Sequence, residues 1–122
     1  MKHFSLDEFD SPDLPTSGRE MDYTFLTMLD NARSIAGIPF KITSGYRTES
    51  HNSAVGGVQK SANSKGSSHM YGYAADISAV TGGERWIIVR SLIEAGFKRI
   101  GIAKTFIHTD NDPDKPDAIW TY

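Results

Sequence analysis

The 122 residues predict an α+β fold in which a small antiparallel sheet is flanked by helices. Two segments carry apolar residues at three- and four-residue spacing, the period of amphipathic helices. Between and after them lie short alternating or apolar runs of strand length, two of them close enough to pair as a hairpin. The length suits a single domain over residues 1–122 with one modest core.

The first segment, with Phe4, Leu6 and Phe9 before Ser11-Pro12 and Leu14-Pro15, reads as an extended or short helical arm over about residues 1–18, ending in a proline-marked loop. From there the period changes. Phe25, Met28, Leu29, Ala32 and Ile35 predict a helix over about 19–36, stopped by Gly37 and Pro39. Phe40 to Ser44 alternates as a strand and delivers Tyr46 and Arg47 at its end. A short helical turn is expected around 48–55, followed by a polar, glycine- and serine-rich loop up to Ser67. Past the segment 67–80, discussed next, Trp86, Val89, Leu92 and Ile93 predict a helix over 84–96 with Gly96 as its cap. Residues 99–103 and 105–109 predict a hairpin, and Trp120 and Tyr122 close the chain as an edge strand or groove wall.

The chemistry concentrates in Ser67-Ser68-His69-Met70-Tyr71-Gly72-Tyr73-Ala74-Ala75-Asp76. Asp76 lies among small and apolar residues of strand character, where a carboxylate is costly unless paired or bound to a cation. Gly72 lets the chain bend so that His69 can approach that carboxylate. A second histidine, His108, sits in another strand-like run, Phe106 to Asp110. For a histidine and an aspartate at random, an exposed imidazole and an ion pair would be the ordinary reading. Two histidines and one carboxylate from separate segments instead suggest three zinc ligands with a fourth position open, and the absence of cysteine argues against a thiolate-rich structural site. His51, in a polar stretch, is expected to face solvent.

Ser67-x-His69-x-x-Gly72-x-Ala74-x-Asp76 followed by His108 resembles the zinc D-alanyl-D-alanine carboxypeptidases and L-alanyl-D-glutamate endopeptidases, which share the Hedgehog/DD-peptidase fold. Ser44-Gly45-Tyr46-Arg47 is similar to that family's Ser-Gly-Tyr-Arg segment, and Phe106 to Asp110 with Trp120 resembles its His-x-Asp subgroup. The resemblance covers roughly residues 38–122. It implies one Zn2+ held by His69, Asp76 and His108, with Arg47 binding substrate or the developing oxyanion and Ser67, Tyr46 and Trp120 contacting substrate. It implies hydrolysis of a peptide bond in peptidoglycan stem peptides or cross-links. Many members carry an acid or histidine two or three residues before the last ligand, where this chain has Thr105 and Phe106. Asp110 is the local substitute, either as general base or as a carboxylate supporting the site.

A formal charge of -2 and a pI near 6.0 give no sign of a nucleic-acid or anionic-membrane partner, and no apolar run is long enough to span a membrane. The N-terminus has no apolar signal region, so synthesis in the cytoplasm is expected, with action at the cell wall after release in phage- or prophage-type lysis, or as a virion component. A monomer is expected. Two further readings stay open: a zinc-containing module that binds the wall or assists assembly without cutting, and a structural protein in which His69, Asp76 and His108 never meet.

Overall fold

The computed structural model describes residues 1–122. Strands β1 (Ile42–Ser44), β2 (Ala74–Ser78), β3 (Arg99–Ile102), β4 (Phe106–Asp110) and β5 (Ala118–Thr121) form one sheet in the order β1-β2-β4-β3-β5. β1, β2, β4 and β3 pair antiparallel, and β3–β4 is the expected hairpin. β5 instead pairs parallel to β3, so the sheet is mixed rather than wholly antiparallel. The reason is the short connection 111–117. β4 ends beside the start of β3, and the chain crosses that end and restarts with Ala118 opposite Arg99, running the same way as β3.

Alternation along the strands sorts the two faces of the sheet. Ala75 and Ile77 of β2, Ile100 of β3 and Ile107 of β4 join a cluster of 16 buried apolar residues under helices α1 (Tyr23–Ala36) and α3 (Gly82–Glu94). The opposite face carries one polar rung across all five strands. Ser44 pairs with Asp76, Asp76 with His108, His108 with Gly101, and Gly101 with Trp120. The functional side chains stand on that rung.

α1 begins at Tyr23 because Asp22 caps it, its carboxylate accepting the Phe25 amide at 2.9 Å. Ser17–Glu20 forms a separate 3-10 turn, so the helix starts later than residue 19. It buries Phe25, Leu26, Leu29 and Ala32 but leaves Ile35 exposed, and Gly37 ends it at φ 69°. α3 opens on a capping box between Thr81 and Glu84. Its buried face is Ile88 and Leu92, one turn apart, whereas Trp86 is 67% and Ile93 51% exposed. Trp86 lies about 200° around the helix from Ile88. The run Trp86-Ile87-Ile88-Val89 is apolar all round, so spacing alone does not select the face that meets α1 and the sheet.

The N-terminal arm belongs to the core rather than merely leading to it. Phe4 and Phe9 are buried and meet edge to face with centroids 5.5 Å apart, and the Phe9 carbonyl accepts the Tyr46 amide at 2.8 Å. The arm is thereby hydrogen-bonded to the segment that carries Arg47. No helix is long and apolar enough to cross a membrane.

Candidate metal centre

Asp76 and His108 are cross-strand partners, which points their side chains the same way from adjacent strands. His69 arrives from outside the sheet on a 3-10 turn, Ser68–Tyr71. Ser67 caps it, its hydroxyl accepting the His69 amide at 3.2 Å. Gly72 ends the turn at φ 77° and redirects the chain into β2. Its carbonyl accepts the Asp22 amide at 2.9 Å, and a Cβ there would strike the Glu20 carbonyl and come within 3.0 Å of Met21 Cα. The Arg47 amide donates to the His69 carbonyl at 3.1 Å, tying the Ser44–Arg47 segment to the turn.

These constraints converge on Asp76 Oδ1, which lies 3.3 Å from His69 Nε2 and 3.0 Å from His108 Nδ1. All three residues are buried and their ligand atoms lie within 4.8 Å of one another. Tetrahedral zinc with nitrogen and oxygen bonds near 2.1 Å places its ligand atoms about 3.4 Å apart, so the donor set fits that ion in chemistry and spacing. The outward nitrogens also fit. His69 Nδ1 faces the Gly45 carbonyl at 2.8 Å, an acceptor, so it carries the proton and leaves Nε2 with a free lone pair. His108 Nε2 faces Asp110 Oδ2 at 2.7 Å, which in the same way leaves Nδ1 to ligate.

Asp110 stands behind the His108 ring, on the side away from Asp76. It is 1% exposed, and its other oxygen takes Arg99 Nε at 2.7 Å and the Asp112 amide at 3.2 Å. Arg99 also donates to the Pro116 carbonyl. This is the geometry of a carboxylate that orients a ligand.

Arg47 has three committed contacts: Nε to Ser44 Oγ at 2.9 Å, Nη1 to Asn52 Oδ1 at 3.2 Å and Nη2 to Asp76 Oδ2 at 3.3 Å. The last uses the oxygen of Asp76 that the histidines leave free. Asn52 is fully buried and in turn donates to the Val58 carbonyl at 2.9 Å, which fastens the loop after α2 (Glu49–Ala54) to the arginine.

A cavity of about 420 Å³ opens on the three ligands. Arg47, Ser67 and Trp120, expected from the sequence to contact substrate, line it. Tyr46 does not: it packs against the hydrophobic core, because neighbours in an extended run face opposite sides, and Arg47 takes the side toward the site. His51 lies outside the ligand group. Trp120 is seated over Gly101, its ring 5.5 Å from that of His108 and 4.8 Å from the Arg99 guanidinium. Arg99, Asn52, Lys115 and the Gly45 carbonyl are site components that sequence reasoning missed. Gly45 lies within the Ser44–Arg47 segment already singled out, though without a role for its carbonyl, and nothing local marks the others.

The electrostatics follow from burial and pairing. Burial acts to raise Asp76, but the hydrogen bonds and charges of His108 and His69 outweigh it and hold its carboxyl far below the usual range. His69 is shifted down, chiefly by burial. His108 is shifted up, since Asp110 and Asp76 together overcome the burial that would lower it. Asp110 is held low despite burial by His108 and Arg99.

An α+β domain that gathers two histidines and an aspartate on one rung, at zinc-ligand spacing and on the floor of a cleft, has the makings of a metallohydrolase. The family model Peptidase M15 matches residues 3–110, and the chain belongs to that family of metallopeptidases. Its peptidases are zinc-dependent, and the His69, Asp76, His108 group is where one metal ion fits. No curated protein matches the chain.

Proposed function

We propose that the protein hydrolyses a peptide bond in peptidoglycan stem peptides or cross-links, with zinc held by His69, Asp76 and His108. The observation that carries this reading is the convergence of His69 Nε2, His108 Nδ1 and Asp76 Oδ1 at the floor of a cleft. A zinc ion there supplies Lewis acidity, activating water and polarising a carbonyl. The chain supplies the rest. Asp110 and Arg99 hold His108 in the tautomer that ligates, and the Gly45 carbonyl does so for His69. Arg47, anchored by Ser44 and Asn52, keeps its remaining guanidinium donors beside the reacting centre for the oxygen that gains charge. Ser67 and Trp120 form parts of the groove wall against which the peptide lies.

A specific observation favours a second reading. The only side-chain carboxylates lining the cavity are Asp76 and Asp110, and both are already engaged, which is what a domain that binds zinc and wall peptide without cutting would also show. Digestion of purified peptidoglycan by the zinc-loaded protein, with the chelated protein alongside and products identified by mass, separates the two. New stem-peptide fragments that disappear on chelation support the peptidase; fully metallated protein that releases none supports the binding module. A phage- or prophage-type lysis role extends the first reading, since cutting stem peptides across a wall weakens it. Loss of turbidity of permeabilised cells on adding the protein tests that role.

A further inference from the structure

The cleft is more cationic than the chain that contains it. Its lining holds three Lys and Arg side chains, Arg47, Arg99 and Lys115, against two Asp side chains, Asp76 and Asp110, in a protein of formal charge -2. The two arginines are tied to Asp76 and Asp110. Lys115 is different. Its ammonium donates to the Gly66 carbonyl at 3.0 Å and to Ser68 Oγ at 2.8 Å, while the nearest carboxylate oxygen, on Asp112, is 3.8 Å away. Asp112 already has closer partners, Lys65 Nζ at 2.6 Å and Ser68 Oγ at 2.7 Å. An ammonium has three donors, so one N–H of Lys115 is without a partner, on a side chain 26% exposed that lines the same cleft as the ligands. Its position is fixed by Ser68, the neighbour of His69, and by the carbonyl just before Ser67.

We infer that Lys115 is a specificity-determining residue that anchors a free carboxylate of the bound peptide. This deepens the peptidase reading and rests on it. A partly buried, pre-positioned ammonium with a vacant donor binds an anion at small ordering cost and prefers it to an amide, whose carbonyl can accept the bond but brings no opposite charge to the ammonium. A lysine-type stem pentapeptide offers two such carboxylates, the α-carboxylate of D-glutamate and the carboxylate of the terminal D-alanine.

The test uses the pentapeptide L-Ala-γ-D-Glu-L-Lys-D-Ala-D-Ala and two analogues in which one or the other of these carboxylates is the amide. Calorimetry gives Kd with the chelated protein, which does not cut, and kinetics give kcat and KM with the zinc-loaded protein, for wild type, K115M and K115R. The expected result is that one amide binds wild type about 10-fold or more weaker than the acid. That amide identifies the carboxylate. K115M should lose the preference, with the loss in KM rather than kcat, and K115R should restore part of it. Equal binding of the acid and both amides by wild type, or a preference that survives in K115M, overturns the inference. A chelated protein that shows the preference while the zinc-loaded protein cuts nothing sustains the subsite and sinks the peptidase reading instead.

Discussion

His108 Nε2 and Asp110 Oδ2 lie 2.7 Å apart, and that contact decides which nitrogen of His108 faces Asp76. Two residues apart on one strand, their side chains share a face, and Arg99 holds the aspartate from the other side. Asp110→Asn keeps the shape and removes the charge. Zinc affinity should fall roughly 10–100-fold, as it does when a carboxylate behind a ligating histidine is lost. At saturating zinc most of kcat should persist. A collapse of kcat in fully metallated Asp110→Asn would make Asp110 the base instead.

The same contact sets a pH dependence. His108 is raised above its ordinary 6.5, so in the metal-free protein it stays protonated to higher pH than in the unfolded chain. Its contribution to stability is complete below the unfolded value and is lost as pH rises through the folded one. Zinc must displace that proton, so apparent zinc affinity falls as pH drops below the raised value. NMR titration of His108 in the metal-free protein should show the upward shift in wild type and a smaller one in Asp110→Asn. For Asp76 and Asp110 the sign is reversed: both are held below the ordinary 3.8, and their stabilisation is lost as pH falls through the acid range.

Gly72 sets the angle between His69 and β2. Gly72→Ala meets both a left-handed φ of 77° and the backbone of Glu20 and Met21, so a loss of about 2 kcal/mol or more is expected. Urea unfolding measures it, and zinc affinity should fall in the fraction that remains folded. Wild-type stability in Gly72→Ala would mean that the turn relaxes freely and does not define the site.

Gly101 admits Trp120. A Cβ at this position would lie 2.6 Å from Trp120 Nε1 and 2.7 Å from Cε2. Gly101→Ala should therefore lift the indole off His108 and Arg99, costing about 1–3 kcal/mol and raising KM. Trp86 is solvent-exposed in either protein, so a change in tryptophan emission reports on Trp120. An unchanged spectrum and KM would show that the indole is not held by this packing.

The ligand set was legible because its spacing is local: a histidine and an aspartate flanking a glycine turn, then a histidine on a strand. The alternation of β2 and β4 already places Asp76 and His108 opposite the core-facing Ala75, Ile77 and Ile107. What escaped depends on long-range packing. The parallel direction of β5 is set by how the connection 111–117 crosses β3, and the outward Trp86 by which face of an all-round apolar run α1 meets. Arg99, Asn52 and Lys115 look like ordinary surface residues until the fold brings Asp110, Arg47 and Ser68 against them. Asp110 itself was visible, but its role depends on which side of the His108 ring it occupies.

Zinc content is the most direct test that the rung is a metal centre. Wild type, His69→Ala, Asp76→Ala and His108→Ala, each checked for folding, are dialysed against low zinc and measured by elemental analysis. One zinc per chain in wild type and a large loss in all three variants is the predicted result. No stoichiometric zinc in wild type, or content unchanged in His108→Ala, would contradict it.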